Sequence, residues 1–446
     1  MTVFDQQRLT QQTLRLDIDG LRRGVYTDKY FENVVRVLTA AHEHGYRYSG
    51  SRPRALPVDL SGVAVGDLVV EAQVFTRRAP YALIAGIDAA LAMIRYATGT
   101  WENGMFRESW ESLEVEAVED GVIVEYDGHP DHVLPVMKIR GCYREFALLE
   151  TTILGVLSRA SRLATNVLDV LRVSNGKPVL FFPARFDLPE VQAVDGYAYW
   201  LAVQRYNHET GYQTRAAVST DRQAAWWGGK GGGTIPHALI AAYFGDTAEA
   251  MVAFARYMPV DVPRYVLADF NNDTVGDSLA TAAAYWREYR AALETGDEDG
   301  QRRWTLHGVR LDTSLSVRDV SLGAGDPYGV NAKLVRVVRS ALDAAWEAWD
   351  VPDHLREAAQ AYCAQIKIVV TGGFNVERIR QFERDGVPVD IYGVGSTLLR
   401  NDHETNTDFT MDVVRVQIDG AWYDAAKVGR QANANPDLQP VNLGEL

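Results

Sequence analysis

Two hydrophobic periods divide the first 145 residues into helical and strand-like segments. In 29–45 the apolar residues are spaced three and four apart, which predicts an amphipathic helix ending at Gly45. Residues 68–75 alternate as a strand does, and 81–96 have a helical pattern. Two further runs, 113–118 and 122–126, flank Glu119-Asp120-Gly121 and predict a hairpin. The pattern therefore predicts an α+β module over 1–145.

The rhythm changes after residue 145. An apolar helical stretch (146–157, then 162–171) precedes a series of short β-branched runs, with helical windows between most of them. The runs are 179–182, 214–218, 265–269, 306–311, 367–370 and 389–394; the windows are 191–206, 235–244, 277–293, 331–349 and 375–384. This alternation predicts a parallel sheet over 146–400, either a barrel or a doubly wound open sheet.

The last segment, 401–446, returns to strand patterns. Residues 411–418 and 421–423 flank Asp419-Gly420, and a polar tail follows. We expect this segment to rejoin the first module, which would make a second domain out of the two ends of the chain.

Composition narrows the class of protein. Of 446 residues, 47% are hydrophobic and 23% charged, which favours a packed fold over a disordered chain. The net charge is −14, from 59 acidic and 45 basic residues, so nucleic acid is not an expected partner. The start of the chain lacks an export pattern, Asp88 and Arg95 interrupt the most apolar stretch, and the two cysteines have no metal or redox spacing. We therefore expect a cytoplasmic protein without a membrane span.

Chemistry-bearing residues follow the predicted strands, where the carboxyl ends of a parallel sheet gather functional groups. Gly372-Gly373 and Gly395-Ser396 form two turns of the kind that bind one phosphate through backbone N–H groups. Asp269 and Asp312 suit ribose hydroxyls or a hydrated metal ion, and Arg185 and Arg310 suit a carboxylate or a pyrophosphate. A phosphorylated sugar is the natural ligand of such a set.

Each of these residues also has an ordinary structural explanation. An aspartate after a strand often caps a helix, and a glycine pair is most often a turn. The most distinctive single residue is His237, because residues 233–237 lead from a glycine-rich loop into a helix that has Pro236 near its first turn. The glycine-rich loop, Trp226 to Gly233, does not have the Walker A spacing.

The combined set resembles the nicotinate phosphoribosyltransferase family, the type II phosphoribosyltransferases that include nicotinamide phosphoribosyltransferase. The resemblance covers most of the chain in the expected order. Its stretches are Thr27 to Tyr30, the Arg185 loop, Ser219 to Asp221, Gly233 to His237, Val266 to Asp269, Gly308 to Asp312, Thr371 to Asn375 and Tyr392 to Ser396. The family implies an irregular, TIM-like β/α barrel, a second α+β domain built from both chain ends, and a homodimer with shared active sites.

Site roles follow from this resemblance. It implies that Tyr30, beside Asp28, stacks on the pyridine ring from the neighbouring subunit, and that Arg185 and Asp221 line the pyridine pocket. Arg310 and Asp312 would hold phosphoribosyl pyrophosphate, and the turns Gly372-Gly373 and Gly395-Ser396 its 5-phosphate. His237 resembles the histidine that ATP phosphorylates, with Asp269 as its partner. Mg²⁺ would act as cofactor, with ligands that the sequence does not identify.

The predicted function is nicotinate phosphoribosyltransferase activity, in which nicotinate and phosphoribosyl pyrophosphate give nicotinate mononucleotide with ATP hydrolysis. Asp221 leaves nicotinamide open as the substrate, because a carboxylate there repels nicotinate unless a cation such as Arg185 offsets it. Two alternatives of other classes are a sugar-phosphate lyase of the β/α-barrel type and a non-catalytic phosphosugar-binding regulator.

Overall fold

A computed structural model describes residues 8–51 and 56–446. Within them the strands are β1 (Val69–Thr76), β2 (Tyr81–Leu83), β3 (Gly99–Glu102), β4 (Met105–Glu108), β5 (Glu114–Ala117), β6 (Ile123–Glu125), β7 (Met137–Cys142), β8 (Val179–Phe181), β9 (Tyr265–Leu267), β10 (Gly308–Leu311), β11 (Lys367–Val370), β12 (Ile391–Val394), β13 (Phe409–Ile418), β14 (Ala421–Asp424) and β15 (Gln439–Pro440). The first seven residues, part of the stretch interpreted above as lacking an export signal, lie outside the described residues.

The helices alternate with these strands after β7. They are α1 (Gln11–Leu14), α2 (Ile18–Arg22), α3 (Lys29–Glu43), α4 (Ile87–Ala97), α5 (Tyr143–Phe146), α6 (Glu150–Val173), α7 (Gln192–Thr210), α8 (His237–Ala242), α9 (Thr247–Tyr257), α10 (Thr274–Thr295), α11 (Glu298–Arg303), α12 (Ala332–Ala344), α13 (Arg356–Ala364) and α14 (Val376–Arg384). Among the residues that the structure describes, none of these helices has the length and apolar character needed to cross a bilayer.

A six-stranded antiparallel sheet joins the two ends of the chain. Its order is β14-β13-β1-β7-β5-β15, with β13 paired along the whole of β1. One face packs on α4 and the first part of α6 through a core that includes Val74, Ile94, Ile139 and Ile153. The strands after residue 400 thus return to the first module, as the sequence predicts, while the domain boundaries 1–145, 146–400 and 401–446 stay predictions.

The second sheet is parallel throughout, in the order β8-β12-β11-β10-β9. Five of the six predicted strand runs are these strands. The sixth, 214–218, runs beside β8 but contributes only one bridge, between Val218 and Phe181. Helices α7 to α14 lie between the strands, so the alternation predicted from the sequence is confirmed.

The sheet follows the strand order of a barrel but does not close. In the described part of the chain, no pairing joins 214–218 to β9, so the predicted TIM-like barrel is not confirmed. Between β8 and 214–218 the Tyr199 hydroxyl donates to Val179 O (2.8 Å) and accepts from Ala217 N (3.0 Å), which replaces direct ladder bonds. Val218 O accepts from Gly232 N (2.8 Å) instead of from a residue of β9. The fold is a mixed α/β architecture with an open, barrel-ordered parallel sheet.

Two predictions in the first module are wrong in detail. The helix predicted over 81–96 is a strand, β2, followed by α4, because Gly86 between them has a left-handed φ of +96°. The predicted hairpin does not form: β5 pairs with β7, and β6 pairs with β2. Asp120 of the expected turn is buried, and its carboxylate instead accepts hydrogen bonds from Ile87 N (2.8 Å) and Asp88 N (3.4 Å) at the start of α4.

Asp120 makes the stability of the fold dependent on pH. Burial, together with the charge of Asp88, raises the pKa of Asp120 from 3.8 to about 7. Between these two values the folded chain holds a proton that the unfolded chain releases, so this group's contribution to stability falls as pH rises and levels off above about pH 7.

We expect Asp120→Asn to remove this slope. The free energy of unfolding of the variant, minus that of the original chain, should rise between pH 5 and pH 7 by up to about 1.4 kcal/mol per pH unit, the limit for one proton, and then stay level. Denaturant unfolding at pH 5, 6, 7 and 8 measures it. Asp246→Asn, at the exposed N-cap of α9, is the matched control and should give a flat difference. A flat difference for Asp120→Asn would contradict the assignment.

Candidate active site

The candidate site lies where the five parallel strands end. Because all five strands run in one direction, the loops that follow β8, β9, β10, β11 and β12 meet at the same edge of the sheet. These loops carry Arg185, Asp269, Asp312, the glycine pair 372–373 and the turn at 395–396. The structure therefore brings most of the predicted barrel residues to one edge.

His237 and Asp269 form a pair at this edge. His237 is the first residue of α8, after Pro236, and its Nε2 lies 3.0 Å from Oδ1 of Asp269. About half of the His237 side chain is exposed, whereas 9% of that of Asp269 is. Burial raises the pKa of Asp269, His237 opposes this, and the charge of Asp312 adds to it. The imidazole is thus oriented by a buried carboxylate while its other face stays accessible.

Arg310 is the centre of a polar network beside that pair. Its Nη2 donates to Asp312 (2.8 Å), its Nε to the hydroxyl of Thr371 (3.2 Å) and its Nη1 to the hydroxyl of Thr234 (3.1 Å). The Thr371 hydroxyl in turn donates to the second oxygen of Asp312 (2.6 Å). The guanidinium and the carboxylate are therefore held rigidly, and Thr234 ties them to the loop that precedes His237. The Phe182 ring lies 5.8 Å from the Arg310 guanidinium carbon.

The turns at 372–373 and 395–396 need glycine for different reasons. Gly372 and Gly373 have φ of +89° and +73°, a left-handed conformation that side chains disfavour. The Gly372 carbonyl accepts from Arg378 Nη1 (2.6 Å), which fixes the turn beside Asp312. At Gly395 a Cβ would lie 2.9 Å from the Phe186 ring, so this position is small because the Arg185 loop packs on it. Ser396 begins the short 3₁₀ turn that follows.

Arg185 and Asp221 have contrasting surroundings. Arg185 is exposed, with its guanidinium 5.2 Å from the ring of Phe186, and no carboxylate of the described residues pairs with it. One oxygen of Asp221 accepts from Gly231 N (2.9 Å), so this carboxylate anchors the glycine-rich loop. Both residues stand at the predicted edge, but only Arg185 is wholly available to a ligand.

Tyr30 and Asp28 lie apart from this edge, at the start of α3. Asp28 interacts with Thr151 of α6, whose hydroxyl lies 3.2 Å from the Asp28 carboxylate. The Tyr30 hydroxyl donates weakly to Asp28 (3.4 Å), and 61% of the residue is exposed. No hydrogen bond or ion pair between described residues joins either of them to the Arg310 network. Their predicted role in the neighbouring subunit's site stays a prediction.

Thr234 and Thr371 lie in stretches that carry the resemblance, but the sequence analysis gives neither of them a role at the site. Thr371 directly follows β11 and precedes the glycine pair, so its position at a strand end was the available signal. Thr234 had no such signal, because its contact with Arg310 is 76 residues distant along the chain.

For a metal ion, this edge of the sheet offers carboxylate oxygens but, among the described residues, no complete set of side-chain ligands. Among the described residues, no group of three or more His, Cys, Asp or Glu side chains could hold a metal. Asp269 and Asp312 are nevertheless two carboxylates close enough for the charge of one to shift the pKa of the other. Mg²⁺ commonly takes one or two carboxylates and completes its shell with water and substrate phosphates, so these residues fit it.

Comparisons with known proteins identify similar folds. Residues 59–161 match the family model of the quinolinate phosphoribosyl transferase N-terminal domain. The crystal structure of nicotinate-nucleotide pyrophosphorylase from Pyrococcus furiosus is similar over 96% of this chain and 85% of that one, with 24% identity and a TM-score of 0.61. That of human nicotinic acid phosphoribosyltransferase is similar over 88% and 75%, with 15% identity and a TM-score of 0.52.

The architecture is thus that of these two solved structures. More particularly, this chain has the fold of the type II phosphoribosyltransferases, and the resemblance predicted from the sequence is confirmed at that level. The family match covers β1 to the middle of α6, and so lies on the N-terminal side of the residues that form the candidate site.

A substitution in the glycine-rich loop tests how closely this loop packs against its neighbours. A Cβ at Gly231 would lie 2.6 Å from the backbone of Thr220, whereas Gly232 has open space around it. We expect Gly231→Ala to lower the free energy of unfolding by about 1–3 kcal/mol, the usual cost of forced overpacking. Gly232→Ala is the matched control and should change it by less than about 0.5 kcal/mol. Equal effects in urea unfolding would show that the loop is not pinned at Gly231.

Proposed function

We propose that this chain is a nicotinate phosphoribosyltransferase that couples nicotinate mononucleotide formation to ATP hydrolysis. The observation that carries the proposal is the juxtaposition of the Arg310–Asp312–Thr371 network with the exposed, carboxylate-held His237 at one edge of the sheet. The fold supports the broader class, a pyridine phosphoribosyltransferase. The two similar solved structures have names that refer to nicotinate nucleotide and to nicotinic acid, and both names agree with that class.

The phosphoribosyl part would bind on the Arg310 network. The bond between C1 and the pyrophosphate breaks as the pyridine nitrogen forms its bond to C1, so charge accumulates on the departing pyrophosphate. Arg310 can stabilise that charge without rearranging, because three contacts already fix its guanidinium. Asp312 would hold ribose hydroxyls, and the turns at 372–373 and 395–396 would bind the 5-phosphate. Mg²⁺, held through Asp269 or Asp312, would supply further neutralisation of the phosphates.

The ATP-linked step would use His237. Asp269 occupies Nε2, which leaves Nδ1 without a hydrogen-bond partner among the described residues. Nδ1 can therefore attack the terminal phosphorus of ATP, with ADP as leaving group, and water later hydrolyses the phosphohistidine to release inorganic phosphate. Asp269 would stabilise the positive charge that the ring gains in the attack.

The surroundings of Arg185 and Asp221 support an acid rather than an amide as the substrate. Arg185 is exposed and has no carboxylate partner in the described part of the chain, so it can face the carboxylate of nicotinate. The repulsion expected from Asp221 is reduced because one of its oxygens accepts the Gly231 N–H. Phe182 offers a ring beside Arg310 on which the pyridine can stack. Tyr30, beside Asp28, would close the pocket from a second copy of the chain in a homodimer.

Product analysis tests the proposal. The chain is supplied with phosphoribosyl pyrophosphate and Mg²⁺, and with nicotinate, nicotinamide or quinolinate in separate reactions, each with and without ATP. We expect nicotinate mononucleotide, in larger yield with ATP, and loss of the ATP effect in His237→Gln. Product from nicotinamide would establish the amide alternative, and product from quinolinate would assign the substrate named by the matched family. No nucleotide from any ring would favour a sugar-phosphate lyase or a binding regulator.

Thr371 gives a sharper prediction about the network. Thr371→Val keeps the shape of the side chain but removes the hydroxyl that joins Arg310 to Asp312. Hydrogen bonds to charged groups contribute about 1.5–3 kcal/mol, so we expect kcat/KM for phosphoribosyl pyrophosphate to fall about 10- to 100-fold.

Thr371→Ser is the control, since it keeps the hydroxyl and should stay within about threefold of the original chain. If the valine variant turns over as fast as the serine variant, the hydroxyl does not organise the network.

A further inference from the structure

The turn after β11 has three successive backbone N–H groups without a partner. They belong to Gly372, Gly373 and Phe374, and none of them donates to an acceptor among the described residues. Gly373 is exposed, and the two glycines have left-handed φ values of +89° and +73°. Consecutive N–H groups in a turn of this kind form a concave site for an anion. Such a turn supplies hydrogen bonds but no full positive charge.

Arg378 supports this turn from α14. Its Nη1 donates to Gly372 O (2.6 Å), and its Nη2 donates to the carbonyl of Val330. A Cβ built at Gly373 would lie 3.9 Å from the same Nη1, so the guanidinium lies close to both glycines. The two carbonyls take only part of the N–H donors of the guanidinium.

The charge of Arg378 is not offset by an ion pair. In the part of the chain that the structure describes, no carboxylate pairs with it, and its guanidinium carbon lies 4.0 Å from the centre of the Phe374 ring. Burial lowers the pKa of Arg378, and no neighbouring charge of the described residues opposes this shift. An unpaired cation that is partly removed from water is stabilised when an anion binds beside it.

Arg310 does not supply the same surplus of charge. Its guanidinium is paired with Asp312 (2.8 Å), and the other oxygen of Asp312 would lie 3.6 Å from a Cβ at Gly372. The Arg310–Asp312 pair thus presents one charge of each sign to the turn. A phosphate monoester carries a charge of about −1.5 to −2 at pH 7, so the charge of Arg378 is what makes this turn attractive to it.

We propose that Arg378 is a phosphate-binding residue of the turn at 372–374, through its positive charge. The N–H groups of the turn would bind the oxygens of a sugar 5-phosphate, and the guanidinium would offset the charge from the side of α14. This inference rests on the proposed function for the position of the 5-phosphate. Arg378 itself lies beyond the stretch from Thr371 to Asn375 that carries the family resemblance.

Isothermal titration of the full chain with ribose 5-phosphate tests this role, and ribose is the comparison that lacks the phosphate. We expect saturable binding of ribose 5-phosphate that is about tenfold or more tighter than that of ribose. Arg378→Gln keeps a side-chain donor for the turn but removes the charge, so the affinity for ribose 5-phosphate should fall about tenfold or more. Arg378→Lys keeps the charge without the planar fork and should stay within about threefold of the original chain.

The matched control is Arg380→Gln, because Arg380 is an exposed arginine of the same helix. This variant should bind ribose 5-phosphate as the original chain does. Arg378→Met is a second neutral variant with the same expected loss as Arg378→Gln, and it replaces the glutamine variant if that one folds poorly.

The lysine variant separates the charge of Arg378 from its support of the turn. If Arg378→Lys loses as much affinity as Arg378→Gln, the side chain only holds the Gly372 carbonyl and the proposal is wrong. Unchanged affinity in Arg378→Gln leads to the same conclusion, as does the absence of saturable ribose 5-phosphate binding to the original chain.

This proposal and the proposed function fail separately. If no ring gives a nucleotide in the product assay but ribose 5-phosphate binding depends on the charge of Arg378, the transferase is rejected and the phosphate site stands. If a nucleotide forms but Arg378→Gln binds ribose 5-phosphate as the original chain does, the transferase stands and the role of Arg378 is rejected.

Discussion

Helix α6 is the constraint around which both parts of the fold are arranged. It is buried along most of its length, and its polar side chains bond to backbone groups of the segments around it. Ser161 Oγ accepts from Ala85 N and donates to Ala85 O, and Thr165 Oγ1 accepts from Leu83 N. Asn166 Nδ2 donates to two carbonyls, those of Leu398 and Arg400. Buried backbone groups outside a ladder need such partners, so the helix fixes the first module against the parallel sheet.

The same helix positions part of the candidate site from outside the sheet. Through Asn166 it holds the segment that follows Ser396, and through the ion pair of Arg159 with Asp187 it holds the segment that follows Arg185. The parallel strands bring the loop ends to one edge, but the conformation of two of those loops depends on contacts with α6. A site built on strand-end loops is therefore only as rigid as the helix, here α6, that packs against those loops.

The parts that the sequence predicts well are those governed by local pattern. Strands β9 to β12 are short and buried on both faces, so they appear as β-branched runs, and the helices between them have clear amphipathic spacing. The wrong or unconfirmed parts depend on single long-range hydrogen bonds. Asp120 caps α4 instead of forming a hairpin turn, and the Tyr199 hydroxyl replaces ladder bonds between β8 and the predicted strand 214–218. No local pattern encodes either contact.

The glycine-rich loop connects the predicted ring pocket to the phosphoribosyl network. Asp221 binds the loop at Gly231, and three residues later Thr234 accepts from Arg310. Asp221, which is predicted to line the pyridine pocket, thus has a second role. Displacing its carboxylate would release the loop whose Thr234 accepts a hydrogen bond from Arg310. Because His237 follows on the same segment, the loop ties together the three predicted subsites: ring, phosphoribosyl group and histidine. Glycine suits this loop where it passes against its neighbour, since a Cβ at Gly231 would lie 2.6 Å from the backbone of Thr220, beside the Asp221 that binds it.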